Sequence, residues 1–363
     1  MTVFSRARAS AILLPVVLTL GACAGSQPTT SESETSGSTD ASQVEAPLEL
    51  VSDGTVVLYS GREESLIGPL MDIFTEQTGI EVVVRYAGTS ELAAQLLEEG
   101  ERSPAGVFFS QDAGALGALS KEGLFVTLPE DITSQVEAAF SSTDGSWVGV
   151  TGRARVVVYD SEVVTADQLP TDIDELVGPE WAGKLAIAPG NASFQSFVTA
   201  YRVLRGEGAA DQWVSGLNTN DPQSFDKNSA ILEAVNDGII PVGLTNHYYW
   251  YRLAAERGVE NMRAQLHFTE AGDPGSIVNV TGAGVLASQA TDADAYELVR
   301  FLVSDVAQQY FVDFTYEYPL VPGIEAPAGI PLLSDLVVDN LDLSDLSTLQ
   351  ETQSLLQRYG LIL

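Results

Sequence analysis

From residue 55 onward, short β-branched runs alternate with stretches whose apolar side chains recur every three or four residues. Thr55 to Tyr59 reads as a compact apolar strand, and Leu66, Ile67, Leu70, Met71 and Phe74 then mark one face of a helix that stops at Gly79. Ile80 to Tyr86 is a second strand. Thr89-Ser90 caps a helix carrying Leu92, Leu96 and Leu97, which ends at Gly100. Val107-Phe108-Phe109 is a third strand, leading through Ser110-Gln111-Asp112 into an Ala/Leu helix. The alternation predicts a mostly parallel sheet with helices on both faces.

Trp147 to Tyr159 is a long strand-like segment interrupted around Gly152-Arg153, a natural crossover to a second unit. There Lys184 to Ala188 is a strand, Ser193 to Leu204 and Ala230 to Val235 are helices, and Ile239 to Gly243 is a strand. Ser276 to Leu286 reads as a return strand and Asp292 to Val303 as a helix. A chain that crosses twice makes two lobes with a cleft between them. The expected division is 48–150 with about 280–330 in one lobe, and 151–279 with about 331–363 in the other. Polar loops after strands, at Ser60 to Glu63, Ser110 to Asp112, Pro189 to Ser193 and Thr245 to His247, are where such folds bind ligands.

The segment before the first strand has a different character. Arg6 and Arg8 precede a short apolar run, Ala11 to Leu20, and Leu20-Gly21-Ala22-Cys23 follows. The run is too short to remain as a membrane span, so residues 1–22 read as a cleaved signal. The pattern resembles a bacterial lipoprotein signal, which implies acylation of Cys23, the one cysteine in the chain. Residues 23–47 are rich in Ser, Thr, Gly and Ala and cannot bury a core; they read as a flexible tether reaching roughly 25–30 Å. This places the protein outside the cytoplasm, held to the cell membrane through its lipid alone.

Charge narrows the partners. The formal net charge is −33, and loss of Arg6 and Arg8 with the signal takes it to −35. Such acidity argues against nucleic acid or an anionic lipid surface. A lone cysteine excludes an internal disulfide and a thiolate metal cluster.

The most telling chemistry is Asn246-His247-Tyr248-Tyr249-Trp250. Tyr248 to Arg257 has no helix breaker, Asn246 suits an N-cap and Gly258 a stop. In mid-helix, neighbours point about 100° apart, but at the first turn two of them can converge. The positive end of the helix dipole favours phenolate there, and phenolate oxygen suits a hard, highly charged cation. Aromatic packing at a domain interface is the competing reading of the same residues.

Five motifs stand in order: Leu58-Tyr59-Ser60-Gly61-Arg62-Glu63; Arg102-Ser103-Pro104-Ala105-Gly106-Val107-Phe108-Phe109-Ser110; Gly152-Arg153-Ala154-Arg155-Val156-Val157-Val158-Tyr159-Asp160; Lys227-Asn228-Ser229; and the Tyr-Tyr motif. With them, Val56 to Pro322 resembles the ferric-ion-binding proteins that feed bacterial ABC importers. The resemblance implies a bilobal type II periplasmic-binding-protein fold, with two mixed sheets flanked by helices, a hinge and an inter-lobe cleft. It implies Fe(III) as ligand on Tyr248 and Tyr249. Glu63 stands where many relatives have histidine and remains a hard oxygen donor; Gln111 stands where many have glutamate, and Asp112 beside it offers a carboxylate instead. A synergistic phosphate or carbonate is implied at Asn191, Ala192, Ser193, Asn228 and Asn246, with Arg153 contributing charge from the cleft side of its strand. Delivery as a monomer to an ABC permease and its ATPase follows from the same resemblance.

Two other functions compete. Binding of an organic anion, thiamine or a sugar phosphate would use the tyrosines for stacking or hydrogen bonding. An extracellular hydrolase lacks support: there is no Gly-x-Ser-x-Gly elbow, no His-Glu-x-x-His motif, and His247 and His267 are the only histidines. The sequence therefore reads as a binding protein and not as an enzyme.

Overall fold

The apolar periodicities fold where they predict. In the computed structural model, which describes residues 49–336, 341 and 343–363, β1 (Thr55–Ser60) leads into α1 (Glu64–Thr78), whose buried face is Leu66, Ile67, Leu70, Met71 and Phe74. Gly79 ends α1 at φ 77°, returning its N–H to Thr75 O, a left-handed cap that glycine adopts without steric cost. Then come β2 (Glu81–Tyr86), α2 (Thr89–Glu99), β3 (Val107–Ser110), α3 (Ala113–Lys121) and the short α4 (Glu130–Thr133). The signal, Cys23 and the tether lie outside the described residues.

β4 (Val148–Asp160) is the pivot of the architecture. After it run β5 (Leu185–Ile187), α5 (Ala192–Arg205), α6 (Glu207–Thr219), β6 (Gln223–Ser224), α7 (Asn228–Asn236), β7 (Val242–Asn246), α8 (Tyr248–Arg257) and β8 (Ala264–His267). β9 (Val278–Val285) returns to the first half, followed by α9 (Ala293–Leu302), α10 (Asp305–Tyr310), a π-helical turn at Phe311–Thr315 and β10 (Tyr318–Pro319). The chain closes with α11 (Leu333–Leu336) and α12 (Leu349–Arg358).

The strand order is β2-β1-β3-β9-β4-β7-β5-β6, with β8 and β10 also on β4. β4 hands over midway: Val148 to Ala154 pair with β9, and Arg155 to Tyr159 with β7. Two mixed sheets are thus joined through one strand. The expectation of mostly parallel pairing does not hold. β1–β2, β1–β3, β5–β6 and β5–β7 are parallel, but every pairing of the crossing strands β4 and β9 is antiparallel. Helix–strand alternation carries no information about a strand that returns from the other lobe.

The predicted interruption at Gly152-Arg153 is also displaced. β4 is continuous there, and its register slips between Gly149 and Thr151. A Cβ on Gly149 would lie 2.2 Å from Phe140 O, so the close backbone approach sits at Gly149. β9 is buried along its length and β4 at every residue but the half-buried Tyr159, as central strands covered on both faces require.

The C-terminal segment touches both halves. Lys121 Nζ of α3 donates to Ser347 Oγ. Farther on, Arg202 Nη1 of α5 donates to Thr348 O at 2.8 Å, and the Thr199 and Thr352 hydroxyls lie 2.7 Å apart.

Candidate functional site

A cleft of about 250 Å³ opens between the two halves of the sheet. Its first wall is Gly61, Arg62 and Glu63 after β1, with Gln111 after β3; the second includes Asn191, Lys227, Tyr248, Tyr249 and Arg252. The loop after β1 is held tightly. Gly61 N–H donates to Phe109 O at 2.9 Å, and a Cβ on Gly61 would fall 2.0 Å from Thr89 Oγ1. Thr89 does not cap α2; its hydroxyl accepts from Gln111 N–H at 3.1 Å and ties the two loops of the first wall together.

The tyrosines meet at the first turn of α8. Their ring centroids lie 4.1 Å apart with planes inclined by 30°. Tyr248 is buried and Tyr249 half-buried. Asn246 is not the N-cap: His247 occupies that place in helical geometry, and Asn246 stays in β7, its Oδ1 accepting from Arg155 Nη1 at 3.4 Å. His247 fixes the turn from beneath. Its Nδ1 accepts from Ala154 N–H at 3.1 Å, so Nε2 carries the proton and donates to Tyr316 O at 2.9 Å. Burial lowers this imidazole to about 4, keeping it neutral.

The dipole argument for a ready-made phenolate is overridden by burial. Burial pushes the Tyr248 phenol well above its ordinary range and the Tyr249 charge adds to the shift, while Arg62 and Arg153 pull in the opposite direction. Arg62 is itself buried, and its Nη2 donates to Glu317 Oε1 at 2.5 Å; Glu317 Oε2 accepts from Thr151 Oγ1 at 2.7 Å.

The other expected residues divide. Glu63 and Gln111 face the cleft. Asp112 does not line it: its carboxylate caps α3, accepting from Ala115 N–H at 3.2 Å and from the Ser196 hydroxyl, and burial raises its pKa. Asn191 caps α5, accepting from Ser193 N–H at 3.0 Å and Ser193 Oγ at 2.7 Å. Asn228 Nδ2 donates to Ser193 Oγ at 2.8 Å and to Asn191 Oδ1 at 3.2 Å, which draws Asn191, Ala192, Ser193 and Asn228 into one cluster at the start of α5. Arg153 is 1% exposed; it lines a small recess with Arg155, Ser193 and Asn246, and its charge acts on the Tyr248 phenol.

Lys227, Arg252, Glu233 and Glu256 also line the cleft and were not anticipated. Tyr249, Arg252, Leu253 and Glu256 follow the spacing of one helix face, so this part was available from periodicity. Glu317 had no such signal, since it follows the π-helical turn and Tyr316 at φ 59°. Among the described residues no group of three or more His, Cys, Asp or Glu side chains gathers to hold a metal. Among the same residues, no helix is long and apolar enough to cross a membrane.

Two α/β halves joined by crossing strands, with a polar cleft lined from both, define a solute-binding protein. The chain belongs to the bacterial extracellular solute-binding protein family, whose pattern matches residues 103–331. It is 33% identical over 308 residues to the major ferric iron-binding protein of Neisseria meningitidis serogroup B, covering 84% of this chain and 93% of that one. It is similar in structure to iron-bound HitA from Pseudomonas aeruginosa, with a TM-score of 0.80, 31% identity, and coverage of 84% and 99% of the two chains. The Trichodesmium protein in complex with iron and citrate is similar at TM-score 0.72 and 27% identity, with coverage of 84% and 99%.

Proposed function

We propose that this protein captures ferric iron outside the cytoplasm and hands it to an ABC permease with its ATPase, acting as a monomer and without catalysis. The observation that carries the reading is the pair of adjacent phenols on one wall of the cleft, opposite Glu63 on the other. Tyr248 and Tyr249 bind the metal as phenolates, Glu63 as a carboxylate, and Gln111 stands by as a neutral oxygen donor. Asp112 is left to its helix cap. Its relatives named for ferric iron support this choice of cargo.

A small anion completes the site. The cleft is far larger than a bare ion, and the start of α5, a helix N-terminus carrying Asn191, Ala192 and Ser193, favours negative charge. Asn228 and Asn246 flank it. Phosphate and carbonate suit this cradle, and the Trichodesmium relative supports a carboxylate-bearing alternative such as citrate. Ligand bridging both walls selects the closed arrangement of the lobes. Cys23, placed directly after the apolar signal stretch, anchors the protein to the membrane by its lipid.

The test is a visible absorption titration with chelated Fe(III), with and without phosphate or carbonate. A phenolate-to-iron charge-transfer band saturating at one equivalent is expected, and Tyr248→Phe with Tyr249→Phe should abolish it while the fold persists. Tight iron binding retained by that double variant would put the site elsewhere.

A further inference from the structure

The two helices that carry the cleft walls are clamped together by the end of the chain. α3 begins just after Gln111 of the first wall, and α5 has Asn191 of the second wall as its N-cap. Their tips meet where the Ser196 hydroxyl donates to the Asp112 carboxylate. Around Gly117 of α3 and Thr199 of α5, about 9–12 Å along the helices from those cleft residues, one short stretch of chain lies on both.

On α3 the seat is a 3₁₀ turn, Leu343–Ser347, with Leu343 and Leu346 buried. Backbones meet closely there. A Cβ on Gly114 would fall 2.8 Å from Leu346 O, and one on Gly117 would fall 3.1 Å from Ser347 Cβ and 3.2 Å from Ser344 O. On the second lobe the seat is α12, which buries Thr352, Leu355 and Leu356. Arg202 Nη1 of α5 donates to Thr348 O at 2.8 Å and to Thr352 Oγ1 at 2.9 Å, and Gln353 Nε2 donates to Gln195 Oε1 at 3.1 Å. Asp211 of α6 accepts from Arg358 Nη1 at 2.5 Å and from the Tyr359 hydroxyl at 3.0 Å.

Only Thr348 separates the two seats. Its φ of −84° and ψ of 46° belong to neither helix nor strand, and its carbonyl is held by Arg202. One pinned residue leaves little slack, so a rotation of the lobes about β4 and β9 must release a seat. The turn has 5 residues and two buried side chains against 10 residues and three in α12, so the turn is the seat that gives. We propose that residues 343–359 form a strap coupling the lobes, and that Leu343–Ser347 must lift from Gly114 and Gly117 for the two cleft walls to move relative to each other. The strap stands on packing alone and does not depend on which ligand the cleft holds.

The experiment joins Gly117→Cys to Ser347→Cys by oxidation, since a small adjustment of the turn brings the two Cβ positions to disulfide spacing. The full-length chain carries Cys23→Ala as well, so that no other thiol is present. Hydrogen exchange is then followed in the iron-free protein. Oxidation should slow exchange about tenfold or more at the cleft loops Ser60–Glu63 and Thr245–Tyr249, and reductant should restore it. Gly114→Ala, which presses on Leu346 O, should speed exchange at both loops roughly fivefold or more, and it decides the matter should the thiols fail to pair. Release of Fe(III) to a competing chelator should slow on oxidation by a similar factor. A wild-type protein that takes up no iron would sink the cargo reading, and exchange would still decide the strap. Protection confined to Leu343–Ser347 and α3, with the cleft loops equal in oxidised and reduced protein, would overturn the proposal, as would cleft loops unmoved by Gly114→Ala.

Discussion

Replacing Arg62 by Met is the sharpest probe of how the first cleft wall is held. The Arg62 and Glu317 side chains are 1% and 0% exposed, and among the described residues their 2.5 Å contact is the only ion pair of the carboxylate. Thr151 Oγ1 would remain as a donor to it. Removing one partner of a buried pair leaves an unpaired charge in the interior, at a cost of about 3–5 kcal/mol. For a fold of this size that corresponds to a drop of roughly 5–8 °C in the thermal midpoint. The assay is calorimetric melting of the iron-free protein, so ligand affinity does not enter. Glu317→Leu added to Arg62→Met should recover most of the loss, because replacing both partners by apolar groups is often neutral. A loss below about 1 kcal/mol for Arg62→Met would place the pair with weak surface bridges and refute the reasoning. So would a double variant no more stable than the single one.

Asp112→Ala should cost about 1–2 kcal/mol through the lost helix cap but leave the iron absorption band intact; loss of the band at unchanged stability would make Asp112 a ligand instead. Gly61→Ala drives a methyl group into Thr89 Oγ1, so the loop after β1 must shift, and iron affinity measured by competition with a chelator should fall at a stability cost of about 1–3 kcal/mol. On the proposed ligation by Tyr248 and Tyr249, iron displaces a proton from each phenol, that of Tyr248 held in place by burial, so loading should release protons and weaken as pH falls, which a pH series of the same competition reads directly. Asp144, with its carboxylate lowered to about 2 by bonds from Ser146, Ser120 and Ser142, stabilises the fold above the ordinary carboxylate pKa and ceases to as pH falls through 2. Its side chain is exposed, so the melting difference between wild type and Asp144→Asn should be no more than a few degrees at pH 7 and shrink between pH 4 and pH 2.

Much of the first lobe was legible because its signals are local. The face of α1 from Leu66 to Phe74, its stop at Gly79 and the apolar strands β1 and β3 each need only a window of residues. The loops that follow the strands could likewise be placed near a ligand, and Glu63, Gln111, Asn191, Tyr248 and Tyr249 do line one cleft. What escaped depends on partners far along the chain. Thr89 has the residue type of a cap, yet its hydroxyl serves Gln111. Asn246 has the same preference and is held in the sheet through its register with Arg155. Asp112 beside Gln111 turns inward because the start of α3 needs an acceptor and Ser196 offers a donor. No window of sequence holds those facts.

The way β4 and β9 are shared also constrains how the chain can be made. Val107 in β3 has no neighbour on its far side until Val285 arrives, and the first half of β4 waits for the same strand. During synthesis or passage through an export channel, the edge of the first sheet therefore stays open while the whole second lobe emerges. An unpaired, apolar strand edge held open for that time is a surface on which chains aggregate. Delivery of the chain in extended form, or cover over β3 until β9 arrives, would keep that edge from pairing with another chain.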